Sequence, residues 1–331
     1  MTSRIGRTEQ ELLDRRRFML RAAGLLTGAA GAAGVSWLAH GPEPVRHAPE
    51  KVYSLADFRA DTSGPHPSMV IVHGADPWLM VKAAVDRLGG IGRFIKPGER
   101  VAIKPNVAWD RLPEQAANTN PEVVGAVARL ARLARPGGVV VTDVSLNDSA
   151  RCFDRSGIKD AAEQAGARVW VPGADDYKLV DLKGELLKVW PVSRIFLESQ
   201  RVINVPVVKH HSLCGSSLAQ KNWYGILGGR RNQLHQKIHT SIADLASAVR
   251  PTLTIMDATR ALMRNGPTGG SLNDVKVFNT IIAGTDEVAI DAYSMALLGA
   301  DPMAAEFMLM SQKRGLGLID WKSGGFVEFT V

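Results

Sequence analysis

The sequence predicts an α/β fold, a mostly parallel sheet with helices on both faces, and it leaves open an inserted smaller lobe. Two observations predict this class. Short apolar runs rich in Val and Ile alternate with longer helical stretches, which is the pattern of βα units. Several of the apolar runs also end in polar side chains, as strands do at the functional edge of an open α/β sheet.

Proline and glycine mark the limits of the expected elements. Pro77 and Pro121 stand in first helical turns, and glycine pairs follow the corresponding helix ends. We expect a hairpin and a short helix between residues 173 and 197. The expected strands are 69–73, 100–103, 139–142, 168–171, 201–208, 253–256 and 277–283. The expected helices are 77–88, 121–134, 158–165, 234–248, 286–298 and 302–313.

Composition and charge indicate an ordinary globular protein with a basic surplus. The 331 residues are 45% hydrophobic and 22% charged, and the net charge is +7. Part of this charge lies in an arginine cluster near the N-terminus, and no basic run is interleaved with aromatic residues. These features argue against nucleic-acid binding and favour a small anionic ligand.

The chain has two cysteines, Cys152 and Cys214, and no CxxC pair. It therefore lacks the ligands for an ordinary four-cysteine iron–sulfur cluster or a cysteine-based zinc site. Two separate buried thiols are favoured, and a disulfide in an oxidising compartment remains open.

The N-terminal residues 1–39 are typical of a twin-arginine signal peptide or anchor. Residues 14–20 read Asp-Arg-Arg-Arg-Phe-Met-Leu, and a moderately apolar stretch rich in Gly and Ala follows. The expected partner is the twin-arginine translocation machinery, which exports folded proteins. We expect a periplasmic or otherwise extracytoplasmic protein that meets a membrane only through this segment, as an anchor if the segment is not cleaved. Residues 40–66 are expected to be a linker, and 67–331 a single α/β domain.

Polar side chains follow four of the expected strands. If the strands are parallel, these side chains meet at one edge of the sheet. Each residue could instead be a solvated loop residue or a helix cap. The residues are Lys104 with Asn106, Asp143, Lys209 with His210 and His211, and Asp257.

A metal site is one interpretation of these residues. His235 and His239 are four positions apart and would share a face of a helix, although two surface histidines explain the spacing equally well. Further ligands would come from Asp143, Asp257 and Asp286. Adjacent strand residues point to opposite faces, so one of His210 and His211 should enter the site.

An anion site is the second interpretation, and a solvated basic face is its alternative. Lys221 and Asn222 lie at or near a predicted helix start, and Lys209, Arg230 and Arg231 would add positive charge. Lys104, Asn106 and Asn222 are the expected substrate-binding residues, and His210, His235, Lys209 and Lys221 the expected catalytic ones. The glycine-rich 266–270 segment lacks the Gly-Lys-Ser/Thr of a P-loop, and neither G-x-G-x-x-G after a strand nor G-x-S-x-G occurs.

Several motifs together resemble the "domain of unknown function 362" family, over about residues 69–318. Many relatives of this family look like iron–sulfur proteins because they carry an added ferredoxin-type module, which this chain lacks. The resemblance supplies positions and no reaction. The motifs are Val101–Asn106, Asn204-Val205-Pro206 with Lys209-His210, Lys221–Gly225, His235, Leu253–Asp257, Asn265-Gly266-Pro267 with Gly269-Gly270, and Ala283–Asp286 with Asp291.

The favoured hypothesis is an exported enzyme that acts on a small anionic substrate, with a metal or other cofactor as an option. A histidine would serve as general acid or base, since imidazole titrates near neutral pH. The alternatives are a non-catalytic periplasmic binding or assembly protein and a redox accessory subunit without its own iron–sulfur cluster.

Overall fold

The computed structural model describes residues 51–61 and 63–331. The predicted export signal and the first part of the predicted linker lie outside these residues. None of the helices in the described part of the chain combines the length and apolarity that a membrane span requires.

The main sheet has ten strands, eight of which follow the order β12-β1-β11-β10-β7-β2-β3-β4, while β8 pairs with β10 and with β9. The strands β5 and β6 form a separate antiparallel hairpin. The strands are β1 (Met69–His73), β2 (Arg100–Pro105), β3 (Gly138–Thr142), β4 (Arg168–Trp170), β5 (Tyr177–Asp181), β6 (Val189–Ser193), β7 (Arg201–Val205), β8 (Val207–His211), β9 (Gly215–Ser217), β10 (Leu253–Leu262), β11 (Val275–Gly284) and β12 (Phe326–Thr330).

Helices cover the sheet and connect its strands. The α-helices are Pro77–Arg87, Ile91–Phe94, Pro121–Leu133, Ser149–Arg155, Ile158–Gln164, Ile195–Glu198, Ala219–Asn222, Ile238–Ala248, Glu287–Leu297 and Glu306–Lys313. The 3-10 segments are Pro113–Gln115, Ala174–Asp176, Trp223–Ile226, Arg231–Lys237, Leu272–Asp274 and Pro302–Ala304.

The predicted α/β class, with a mostly parallel sheet, is confirmed. The pairs β2–β3, β3–β4, β2–β7, β7–β10, β8–β10 and β1–β12 are parallel. The pairs β1–β11, β10–β11 and β8–β9 are antiparallel, so the sheet is mixed. The two strands that sequence patterns did not predict in this sheet, β9 and β12, are a three-residue strand and an edge strand.

The sheet separates two hydrophobic cores, as a sheet buried on both faces must. Val101 and Ile103 belong to one core, whereas Ala102 between them belongs to the other. This alternation follows from the two-residue period of a strand. Cys152 and Cys214 are buried and free.

A proline divides the expected strand 201–208 into β7 and β8. β7 pairs with β2 up to the Val205–Pro105 position, and beyond Pro206 the chain pairs with β10 and β9 instead. Proline has no N–H to continue a ladder, so it belongs at such an interruption. The change of partner lets β8 diverge from β2 and leaves room beyond the carboxyl end of β2.

The compact unit begins at Lys51, before the expected domain start at residue 67. The side chain of Phe58 is fully buried in the core. Tyr53 exchanges backbone hydrogen bonds with β5, at 2.8 Å to Leu179 and 2.9 Å from Asp181. The described part of the predicted linker therefore packs against the domain.

Candidate active site

A cavity of about 440 Å³ lies where β2 and β3 end and β8 diverges. Open α/β sheets place their ligands at such an edge. Asp143 is the one carboxylate among its lining residues, and Lys209, Lys221 and Arg231 supply cations. The polar side chains that line the cavity include Asn106, Asp143, Lys209, His211, Lys221, Asn222, Arg231 and His235.

A buried ion pair between Lys104 and Asp143 forms the floor of this region. Lys104 Nζ donates to Asp143 Oδ1 at 2.7 Å, to the Pro105 carbonyl at 2.8 Å and to Asn222 Oδ1 at 3.0 Å. Burial lowers the pKa of Lys104, and the Asp143 charge opposes this shift. Since all three N–H groups have acceptors, one of them a carboxylate, Lys104 remains an ammonium with a structural role.

The residue above this pair must be glycine. A Cβ at Gly225 would lie 1.8 Å from Asp143 Oδ1 and 2.6 Å from Lys104 Nζ. Both distances are shorter than any non-bonded contact allows. Gly225 thus lets the chain approach the ion pair closely enough for its carbonyl to accept from Val144 N at 2.8 Å.

Three side-chain amides connect this region to a buried carboxylate. Asn204 Nδ2 donates to Glu287 Oε1 at 2.6 Å, and Asn222 Nδ2 donates to Asn204 Oδ1 at 2.8 Å. Asn106 Nδ2 donates to Asn222 Oδ1 at 3.0 Å, and Asn106 Oδ1 accepts from Lys209 Nζ at 2.7 Å. Because Glu287 accepts from the nitrogen of Asn204, the oxygen of Asn204 faces Asn222, and each amide in turn fixes which end of the next one faces onward.

Lys209 is fully buried but lines the cavity. Its Nζ donates to two acceptors, Asn106 Oδ1 and the Ala117 carbonyl, each at 2.7 Å. Burial, reinforced by the nearby charges of Lys221 and Lys104, lowers the pKa of Lys209 to about 7. A substantial fraction of this lysine is therefore a neutral amine at neutral pH.

Lys221 also lines the cavity and is 7% exposed. Its Nζ lies 4.3 Å from the centroid of the Tyr224 ring and makes no hydrogen bond or ion pair with another described residue. Burial lowers the pKa of Lys221 to about 8. A buried cation is costly without an acceptor, so a bound anion would satisfy Lys221.

Two histidines stand side by side in the cavity wall, His211 and His235, with ring centroids 6.1 Å apart and an interplanar angle of 13°. His211 Nδ1 accepts from Leu213 N at 3.1 Å, which leaves the proton on Nε2. His235 Nδ1 lies 3.0 Å from the Asn232 carbonyl and must carry its proton, which leaves Nε2 as an acceptor. Burial lowers the pKa of His211 to about 2 and also lowers the pKa of His235, so both rings are neutral.

Hydrogen bonds connect the segments that form the walls of the cavity. Arg231 donates to the carbonyls of Tyr224, Val144 and Ser145 at 2.8, 2.6 and 2.9 Å. Arg111 Nε donates to the Thr268 carbonyl at 3.3 Å, which joins the loop after β2 to the glycine-rich loop. These contacts hold the loops around the cavity against one another.

The structure brings together most of the predicted site residues. Asn106, Asp143, Lys209, Lys221, Asn222 and His235 line the cavity, and Lys104 lies directly beneath it. Arg231 lines it as well, whereas Arg230 is exposed.

His210, the histidine of the pair that was predicted to be catalytic, does not line the cavity. It follows Lys209 on β8 and therefore points to the opposite side of the strand, where its Nδ1 accepts from Gly266 N at 3.2 Å. His211 shares the face of Lys209 and lines the cavity instead. Because side chains alternate along a strand, the choice of Lys209 as a site residue would also have selected His211 over His210.

The five residues predicted to bind a metal do not meet, and the described residues contain no cluster of three or more His, Cys, Asp or Glu side chains suited to a metal ion. His239 stacks on Phe307, with ring centroids 6.1 Å apart. The α-helix begins only at Ile238, after the 3-10 segment that contains His235, so the four-residue spacing does not place the two histidines on one helix face.

The two remaining carboxylates of that set hold backbone groups. Asp257 accepts from Asn120 N at 2.7 Å and from Thr259 N at 2.9 Å. Asp286 accepts from Ala289 N at 2.9 Å and from Leu318 N at 3.0 Å, and so caps the helix that follows it.

Trp109, Leu146 and Leu213 are lining residues that sequence patterns did not indicate. They lie in loops without periodicity. Glu287 and Asn204 were likewise not predicted as site residues, since their role depends on a chain of contacts between distant segments.

These features define an α/β protein with a cationic pocket at the carboxyl edge of its parallel strands. The chain belongs to the family described as "Domain of unknown function (DUF362)", which matches residues 101–296. This match includes Glu287 and the three amides Asn204, Asn222 and Asn106 that connect it to Lys209, which we call the amide chain.

Two further similarities are to single proteins. The chain is 28% identical over 253 residues to the thylakoid-associated protein sll1697 of Synechocystis sp.. The aligned region covers 71% of this chain and 74% of that protein. It is similar to the lactate racemase apoprotein from Thermoanaerobacterium thermosaccharolyticum with a TM-score of 0.38 and 10% identity. That similarity covers 73% of this chain and 60% of the racemase chain, less than two thirds of its length.

Proposed function

We propose that this protein is an enzyme that binds a small anionic substrate in the cavity and transfers a proton during the reaction. The observation that carries this proposal is the side chain of Lys221, a buried amine that lines the cavity, contacts an aromatic ring and makes no hydrogen bond or ion pair with any other residue that the structure describes. A carboxylate or phosphate oxygen would complete its coordination through a charge-assisted hydrogen bond.

The substrate also has an apolar part. Leu146 and Leu213 line the cavity and are 52% and 59% exposed, which leaves apolar surface for a ligand to cover. Trp109 adds an aromatic wall. Pockets for small molecules combine such apolar walls with a few polar groups that fix orientation.

His211 and His235 suit the proton-transfer step. His211 presents a proton on Nε2 and stays neutral, and the lone pair on Nε2 of His235 can take a proton. In this account His235 is the general base, and His211 donates a hydrogen bond to an oxygen that gains charge.

Binding to a panel of small carboxylates and phosphates tests the proposal. We expect thermal stabilisation and calorimetric binding by at least one anion, and Lys221→Met should weaken it by about tenfold to a hundredfold. Lys276→Met is the matched control, because Lys276 also lies over an aromatic ring, at 4.7 Å from the Phe278 centroid, but is exposed outside the cavity. Equal binding by both variants would contradict the proposal.

Turnover separates an enzyme from a binding protein that uses the same pocket. NMR of the tightest-binding anion with substoichiometric protein should show conversion or exchange of a substrate proton with solvent. His235→Gln should abolish this signal and retain binding. Binding without conversion, in the presence of the usual organic and metal cofactors, would favour a binding or assembly protein.

We also propose that the protein is exported by the twin-arginine route. The support is the Arg-Arg-x-Phe pattern at residues 15–18 and the apolar stretch after it, together with similarity to a protein named as thylakoid-associated. Arg15→Lys combined with Arg16→Lys should retain the protein in the cytoplasm on cell fractionation. Export of this variant through the general secretion route alone would contradict the proposal.

A further inference from the structure

Three lysines meet at this site with three different environments. Lys104 Nζ has three acceptors, one of them the Asp143 carboxylate, and is not a lining residue. Lys221 lines the cavity, and its Nζ has no acceptor within hydrogen-bond distance in the described part of the chain. Lys209 also lines the cavity, and its Nζ has two acceptors, Asn106 Oδ1 and the Ala117 carbonyl. The difference in acceptors assigns them different chemistry.

The two acceptors of Lys209 match a neutral amine. A neutral amine has two N–H groups and one lone pair, and both N–H groups are used here at 2.7 Å. The lone pair takes the remaining tetrahedral position. Burial of the nitrogen and the positive charges of Lys221 and Lys104 oppose its protonation, and the Asp143 carboxylate favours it.

We infer that Lys209 is a nucleophile that forms an imine with the ketone carbon of a short oxo acid whose carboxylate binds Lys221. This inference rests on the proposed function, since it requires the same anion site. Lysines become nucleophilic when they are desolvated or lie beside another cation, and both conditions hold at Lys209. The depressed pKa of Lys209, about 7, agrees with this role.

The steps balance without an oxidant or a reductant. The Lys209 lone pair forms a C–N bond to the ketone carbon, and the C=O π pair moves to oxygen, which takes a proton. The nitrogen then loses a proton, the new hydroxyl takes a second proton from solvent, and the nitrogen lone pair forms the C=N bond as water departs, which leaves the imine protonated. When the imine is protonated it withdraws electrons from the adjacent carbon, so that His235 Nε2 can take a proton from that carbon to leave an enamine.

Reductive trapping tests the inference on the full-length protein. The protein is incubated at pH 7.5 with sodium cyanoborohydride and either pyruvate or 2-oxobutyrate, as 2-oxo acids, or acetoacetate, as a 3-oxo acid. The expected result is a single adduct located at Lys209 by peptide mass analysis, and the preferred acid identifies the spacing between ketone and carboxylate. Lactate, which has no ketone, should give no adduct.

Variants and exchange give independent readouts. Lys221→Met should slow trapping at Lys209 by about tenfold, because the carboxylate loses its partner. Lys276→Met should leave the rate unchanged. NMR in D₂O should show protein-dependent exchange of the pyruvate methyl protons if pyruvate forms the adduct.

The outcomes separate this inference from the proposed function. If oxo acids bind in a Lys221-dependent manner but no adduct forms at Lys209, the nucleophile assignment is wrong and the anion site stands. Adducts spread over exposed lysines at rates similar to that of Lys209 would also overturn the assignment. If no anion binds, both proposals fail.

Discussion

Asn106 Oδ1 accepts a hydrogen bond from Lys209 Nζ at 2.7 Å, although the two residues are 103 positions apart in the sequence. This contact is the cavity end of the amide chain that begins at Glu287. Because each amide in the chain has its oxygen and nitrogen assigned by its neighbour, the position of the Lys209 amine depends on a carboxylate with which it makes no hydrogen bond.

Glu287→Gln should disturb Lys209 without touching the cavity. The amide of Gln presents N–H groups where Glu287 now accepts from Asn204, Thr254 and Trp223. We expect a loss of about 1–3 kcal/mol in the free energy of unfolding, measured by urea denaturation, since buried donors lose their acceptor. We also expect the pKa of Lys209, followed by the pH dependence of its chemical labelling, to shift.

Thr254→Val is the matched control for that change. It removes a donor to the same carboxylate, at 2.9 Å, but leaves the amide chain intact. This variant should lose stability and keep the labelling profile of Lys209. If both variants shift the profile equally, the effect is general loosening and the chain does not position Lys209.

Asn106→Asp should raise the pKa of Lys209. It places a carboxylate where the amide oxygen accepts from Lys209 Nζ, and an opposite charge at such a distance raises a lysine pKa by about 1–3 units. Labelling of Lys209 at pH 7 should fall by about tenfold or more, because the neutral amine becomes rare. Unchanged labelling would contradict the idea that Asn106 contacts the reactive nitrogen.

Gly225→Ala should be strongly destabilising, because its Cβ would overlap Asp143 Oδ1 and approach Lys104 Nζ. Separation of a buried ion pair costs about 3–5 kcal/mol. Gly92→Ala is the control, because no atom lies within 4 Å of the added methyl group and Gly92 lies in a short helix. Chemical denaturation of both variants tests the contrast, and equal stabilities would show that the ion pair tolerates displacement.

The lysines also predict how stability depends on pH. The folded-state pKa values of Lys209 and Lys221 are about 7 and about 8, below the ordinary lysine value of 10.5. Between these values and 10.5 the unfolded chain binds more protons than the folded chain, so both lysines make the protein more stable as pH rises. Each contributes up to about 1.4 kcal/mol per pH unit. Lys209→Met should flatten the curve between pH 7.5 and 9.5, and an unchanged slope would contradict the lowered pKa.

The architecture followed from local patterns because apolar strands and proline- or glycine-bounded helices are local features. β1 was predicted at 69–73 and lies at Met69–His73. The helix at Pro121–Leu133 ends one residue before the expected limit. The prediction of one continuous strand at 201–208 was wrong, because Pro206 interrupts the strand and the chain changes pairing partners there.

The site was predictable where residues directly follow parallel strands. Asn106 and Asp143 follow β2 and β3, so strand direction alone brings them to the same edge. Glu287 could not be identified in this way, because it is connected to Lys209 only through successive hydrogen bonds of Asn204, Asn222 and Asn106. The residues predicted to bind a metal do not form a cluster, for a related reason. A four-residue spacing brings His235 and His239 to one face only within a continuous α-helix, and here a 3-10 segment ends between them.

Proton uptake on binding is the most direct test of the anion site. Calorimetry of the tightest-binding anion at pH 8, in buffers with different ionisation enthalpies, measures the protons taken up. Lys221 has a pKa of about 8, and a bound anion raises it, so about half a proton should enter per anion through this side chain. If Lys221 binds the anion, Lys221→Met should reduce the proton uptake and Lys276→Met should not. Binding with the same uptake in Lys221→Met would contradict this role of Lys221.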